Sequence, residues 1–236
     1  SRGLGDVYKR QNLYGAKKLG MNIHTRYEVS NNAGQDICDI VNNEGFDFLL
    51  VGSGISMSDS PDDIAATRYR TSFYNRFFKR FKAPESWFYP GALLKDKTKM
   101  FIARSNCDVG VFINRNFVKA SNTLVVISSE EDLFLLDYTR TLLKATHGSA
   151  SIVAKISTTT PGHDRIVKEL WDFVSSTPQT HLLPDKDLTP GLFNSYNFML
   201  IGYNTWNDVS EHRKEALQKM PSTLILNKNK RNSSDN

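Results

Sequence analysis

Along this chain, short unbroken apolar blocks closed by small residues alternate with stretches in which apolar positions recur every third or fourth residue. The first kind predicts buried strands, the second amphipathic helices. The clearest block is Phe46-Asp47-Phe48-Leu49-Leu50-Val51-Gly52-Ser53-Gly54. Its branched and aromatic content and its closing glycines predict a strand at the centre of a parallel sheet covered on both faces. A near copy, Tyr196-Asn197-Phe198-Met199-Leu200-Ile201-Gly202-Tyr203, follows about 150 residues later. Aromatic, Asp or Asn, Phe, three apolar residues and Gly recur in the same order, which predicts an internal duplication.

The flanking pattern completes two units. Ahead of the first block, Asn12–Gly20 predicts the end of a helix and Ile23–Val29 an alternating strand. Ala33–Glu44 predicts a helix bearing Ile37, Cys38, Ile40 and Val41, stopped by Gly45. Strand, helix, strand implies a right-handed crossover and parallel pairing. After a polar loop, Ile64–Lys82 predicts a helix with Tyr69, Phe73, Phe77 and Phe81 on one stripe. A helix ending near Asn106 and a strand, Cys107–Ile113, close the first half. In the second half, strands are expected at Thr123–Ser128, Ala150–Ile156, Tyr196–Tyr203 and Thr223–Leu226. Helices are expected at Leu133–Thr146, at Asp164–Ser176 with Ile166, Val167, Leu170, Trp171 and Val174 on its apolar face, and at Val209–Lys219. The expectation is an α/β protein of two tandem units with mostly parallel sheets, 12–120 and 121–228. The first carries an insertion at about 55–97, and a charged, disordered tail occupies 229–236.

Composition narrows the class. The chain has 236 residues, 39% apolar and 23% charged, as ordinary globular proteins do. No stretch approaches the ~18 to 20 apolar residues that a membrane helix needs. Cys38 and Cys107 suggest neither a disulfide framework nor a zinc cluster, and fit a reducing compartment. Asp6-Val7-Tyr8-Lys9-Arg10-Gln11 looks like a translated sequencing adapter, so 1–11 is set aside as an artefact and residues preceding Asn12 are expected to be missing. That also trims the net charge of +5.

No enzyme motif emerges. Gly52-Ser53-Gly54 lacks the spacing of a nucleophile elbow, and Met57 stands where a dinucleotide fingerprint needs its third glycine. Gly52, Ser53 and Gly54 remain candidate ligand-binding residues, because glycine lets an anion approach backbone amides; as a plain strand-ending turn they bind nothing. Ser128, Ser129, Glu130 and Glu131 end the corresponding strand of the second half, where adjacent carboxylates repel phosphate and suit helix capping instead. The five histidines show no ligand spacing, so no metal site is expected. Arg68, Arg70, Arg76, Lys79 and Arg80 flank the aromatic stripe and are candidates for membrane or interdomain contact, since cationic residues beside aromatics suit anionic headgroups. A core helix with solvated arginines is the competing reading. Nucleic acid is not an expected partner.

The Asp47–Ser53 run and the later Cys-Asp-Val-Gly-Val-Phe-Ile strand resemble the universal stress protein family, which implies tandem Rossmann-like units. The family's G-x2-G-x9-G-S/T nucleotide motif is not matched, so no cofactor is expected; a soluble nucleotide-binding stress protein is the alternative reading. Tyr69–Lys99, the VGVFINRNF run and the LLDYTRTLL helix together resemble the cytoplasmic C-terminal region of bacterial monovalent cation:proton antiporters. That resemblance implies a non-enzymatic regulatory module for potassium or sodium exchange, at the cytoplasmic face of the membrane. Its partners would be the membrane transport domain of the same polypeptide, anionic lipid and a second copy of the chain.

Overall fold

The computed structural model describes residues 33–52, 99–184, 188–212 and 219–229. Ser53, Gly54, the basic aromatic helix with Arg68, Arg70, Arg76, Lys79 and Arg80, the segments predicted within 12–29, and the tail beyond 229 lie outside them. The chain divides into residues 1–36 and 37–236, and only the first helical turn of the former is described.

Helix α1 (Ala33–Glu44) leads into β1 (Phe48–Gly52). A helical segment at 99–104 precedes β2 (Asp108–Ile113) and β3 (Asn122–Ile127). A 3-10 turn (Glu130–Asp132) then precedes α2 (Leu135–Thr146), β4 (Ser149–Ala154), α3 (His163–Ser176) and β5 (Thr180–Pro184). The short α4 (Pro190–Phe193), β6 (Phe198–Gly202), α5 (Tyr203–His212) and β7 (Ser222–Asn227) complete the order.

The described strands form one seven-stranded sheet in the order β1-β2-β7-β6-β3-β4-β5. Strands of 12–120 and of 121–228 therefore lie in a single sheet, where two had been expected. Within it, β5-β4-β3-β6-β7 is a complete doubly wound arrangement, parallel throughout. The pair β1–β2 is also parallel, and β2 joins β7 antiparallel.

The joint has a regular register. Phe48 pairs with Asp108 as Phe198 pairs with Ser222, so Val109 corresponds to Thr223, Val111 to Ile225 and Ile113 to Asn227. Across the joint Val111 faces Ile225, its own counterpart, while Val109 faces Asn227 and Ile113 faces Thr223. A local two-fold axis normal to the sheet produces this pattern. Sheet faces obey it too: Leu49, Val51 and Val111 share one apolar layer with Met199, Ile201 and Ile225, and Phe48 and Phe112 share the other with Phe198 and Leu226.

Helices cover both faces of the parallel portion, which is why every residue of β6 is buried. On one side α2 and α3 contribute Leu135, Leu143, Ile166, Leu170 and Phe173. On the other, Cys38 and Val41 of α1, Phe101, and Trp206 and Val209 of α5 pack against β1, β2, β6 and β7. The α3 stripe is thus Ile166, Leu170 and Phe173; Trp171, expected inside, is 58% exposed. Helix α5 begins at Tyr203, six residues before the position expected, because Trp206 and Val209 bury against the sheet and override the poor helix propensity of Asn204 and Asn207. Strand β1 also departs from expectation: among the described residues it has one strand neighbour and stands at an edge, with Leu50 58% exposed.

A polar latch holds α2 to the joint. Tyr138 Oη donates to Asp108 Oδ2 at 2.9 Å, and the Asn229 backbone N–H donates to Oδ1 at 2.8 Å. Burial first, then this bond to a carboxylate, raises the Tyr138 phenol above its ordinary range. A raised phenol is neutral in the fold, so its contribution is complete below the unfolded-state pKa of about 10 and declines as pH rises above it. Tyr138→Phe is expected to cost about 1 to 2 kcal/mol at neutral pH. Urea melts across pH 8 to 11 should show the alkaline decline in the parent and a flatter one in the variant; parallel curves would count against the latch.

Candidate functional site

In doubly wound sheets, ligands bind outside the carboxyl ends of the strands where the winding direction reverses. Here that point lies between β3 and β6: from β3 the chain winds out to β4 and β5, then returns to β6 on the other side. Its floor is built from Ser128, Ser129 and the 3-10 turn after β3, facing Gly202, Asn204 and Thr205 at the end of β6.

One carboxylate fills the reversal point. Asp132 is 2% exposed, and its Oδ2 accepts from the Ser128 N–H at 2.9 Å, the Ser129 N–H at 3.2 Å and the Thr205 hydroxyl at 2.7 Å. Ser128 Oγ lies 3.2 Å from the same oxygen, completing a cage of donors. Backbone amides that an anionic ligand would use at this strand end are thus already spent on an internal anion. The turn chemistry explains the position: Ser129 and Asp132 stand at capping-box spacing, so the carboxylate folds back on the amide preceding its turn.

Gly202 makes room for it. A methyl group built there would lie 1.9 Å from Asp132 Oδ1. The glycine that closes the repeated sequence block therefore serves, in β6, to seat a carboxylate. Beside the plug remains a cleft of about 200 Å³ lined by Glu131, Phe134, Asn204, Asn227 and Lys228. Asn204 Nδ2 donates to Glu131 Oε2 at 2.6 Å across its mouth. A wider groove of about 450 Å³ runs between α2 and α3, where Arg165 is paired with Glu130 and Arg140 with Asp137.

The sequence-predicted residues are not gathered here. Gly52 lies exposed at the carboxyl end of β1. Because β2 and β7 are antiparallel, that end points to the rim of the sheet opposite the one that bears Asp132. Ser128, Ser129, Glu130 and Glu131, expected to cap, do frame the turn, yet the residue at its centre, Asp132, was not singled out. Its available signal was the Ser-x-x-Asp spacing. Among the described residues no cluster of His, Cys, Asp or Glu could hold a metal ion, and no helix is long and apolar enough to cross a membrane. Cys38 and Cys107 are free and buried; burial is the main cause raising the Cys107 thiol.

No family model and no curated protein matches the chain. Solved structures do match its fold. A putative universal stress protein from Pseudomonas aeruginosa UCBPP-PA14 aligns with TM-score 0.50 at 10% identity, over 95% of this chain and 79% of its own. A functionally unknown protein from Pseudomonas aeruginosa PAO1 also gives 0.50, at 10% identity over 97% and 80%. A universal stress protein from Archaeoglobus fulgidus DSM 4304 gives 0.49, at 12% identity over 96% and 78%. The chain has an α/β fold with a mostly parallel sheet, of the Rossmann-like kind found in universal stress proteins.

Proposed function

We propose that this chain is a non-catalytic regulatory module built from two stress-protein-like units, the second represented by β3 to β7 and the first by β1 and β2. The observation that carries the non-catalytic reading is the buried Asp132 carboxylate, which occupies the ligand crevice of the second unit and consumes its amide donors. Support for the tandem reading comes from the two-fold register of the β2–β7 joint, with the repeated block falling on β1 and β6. Assignment to a monovalent cation:proton antiporter rests on the resemblance of Tyr69–Lys99 and its companions to the cytoplasmic region of those transporters. In that role a partner favouring one state of the module biases the gate of an adjoining membrane domain by population shift.

Two experiments test this. Titration with a fluorescent ATP analogue is expected to give no saturable signal with the parent chain, whereas saturable binding abolished by Gly52→Val would favour the nucleotide-binding stress protein, with its ligand at the exposed end of β1. Long-read sequencing upstream of Asn12 is expected to give a continuous frame with many apolar spans of about 20 residues. A start codon shortly before Asn12 would overturn the antiporter assignment.

A further inference from the structure

We infer that Cys38 and Cys107 are a dithiol–disulfide pair, a redox-sensitive tie between α1 and the start of β2. This goes beyond the regulatory reading and needs neither the antiporter assignment nor the two-unit one. Both cysteines are buried, at 0% and 1% exposed, in one apolar layer. Three polar contacts bring the face of α1 that bears Cys38 onto the segment leading into Cys107. Ser105 Oγ donates to Cys38 Sγ at 3.7 Å. One helical turn on, Asn42 Nδ2 donates to the Arg104 carbonyl at 2.7 Å, and Asn42 Oδ1 accepts from the Asn106 N–H at 2.7 Å. Cys107 is the next residue of that segment. Burial above all, then the Asp108 carboxylate, raise its thiol, and the Cys38 sulfur adds in the same direction, an interaction that needs the two side chains close together.

Closure of the pair takes a two-electron oxidant, here a hydroperoxide. One thiol gives up its proton and its sulfur takes the distal peroxide oxygen as the O–O bond breaks, leaving a sulfenic acid and, with that proton, water or an alcohol. The second sulfur then displaces the sulfenic oxygen, which leaves as water with the second thiol's proton, and the S–S bond forms. Only thiolates attack, so burial makes both steps slow, and the pair records sustained rather than brief oxidation. The closed loop spans residues 39–106 and contains β1. Oxidation therefore restricts the unfolded chain and steadies the β1–β2 pair that meets the body at the β7 seam.

The probe is diamide, whose azo nitrogens accept the two electrons and two protons directly, so that no sulfenic acid accumulates. The reduced chain, treated without denaturant, is expected to lose both free thiols and stay monomeric on a non-reducing gel. Digestion should give one peptide pair joined through Cys38 and Cys107, and dithiothreitol should separate it. Formation should be about tenfold or more slower than diamide oxidation of glutathione, as burial demands. Amide exchange across 48–52 and 108–113 should slow about tenfold or more in the oxidised chain. A disulfide requires Cα atoms within about 7 Å, so the reaction also measures the contact. A crosslink that forms only in urea would place the sulfurs apart in the fold and overturn the inference, as would disulfide-linked dimers alone. An internal crosslink with unchanged or faster exchange in β1 and β2 would overturn the tie, because the bond would then fail to steady the strands it joins. The parent chain decides each outcome, so none depends on whether a buried Cys38→Ser variant folds.

Discussion

Gly202→Ala should destabilise the fold by roughly 3 to 5 kcal/mol, out of proportion to one methyl group on an ordinary strand. The methyl would meet Asp132 Oδ1 at 1.9 Å and its Cγ at 3.1 Å, so the Asp132 side chain has to give way. The carboxylate must then leave its cage, stranding the Ser128 and Ser129 amides and the Thr205 hydroxyl in a buried site. Urea denaturation would give the cost. Combining it with Asp132→Ala provides the decisive comparison: with the carboxylate gone, the methyl has space, so the double variant should be less damaged than the sum of the singles. Strict additivity would mean that the glycine is needed for another reason.

Ile225→Ala should cost about 2 to 5 kcal/mol and act unevenly. Ile225 is 1% exposed and faces Val111, itself 2% exposed, at the centre of the β2–β7 joint. Truncation opens a cavity where β1 and β2 are held to the rest of the sheet, whereas β3, β4 and β6 keep their own helices. Amide exchange should therefore accelerate first and most in β1 and β2, with β3 and β4 following only at global unfolding. Uniform acceleration would show that the joint is no weaker than the body.

The strands of the parallel body were legible because burial on both faces turns them into unbroken apolar runs, as in Leu124-Val125-Val126-Ile127. Strand β5 was not: Thr180-His181-Leu182-Leu183-Pro184 is short, holds a polar residue and ends in proline, so it owes its conformation to pairing with β4. Sheet position was the hidden quantity for β1, whose sequence reads as central while its pairing among the described residues is marginal. The likeness of Phe46–Gly54 to Tyr196–Tyr203 was visible as text, but the antiparallel seam between β2 and β7 is a long-range pairing that no local pattern encodes. The site was half legible. Serines and acids marked the turn, yet Asp132's role depends on Gly202 and Thr205, which the chain brings up only after α2, β4, α3, β5 and α4.

The seam also sets a schedule for biosynthesis. Strands β1 and β2 leave the ribosome well before β7, the last strand formed and the one that joins them to the body. At about 5 to 20 residues per second, the roughly 114 residues separating the centres of β2 and β7 take on the order of 6 to 20 seconds to appear. Over that interval Val109, Val111 and Ile113 have no β7 to cover them, so the newborn chain presents an apolar strand pair to chaperones and to its neighbours on the same messenger.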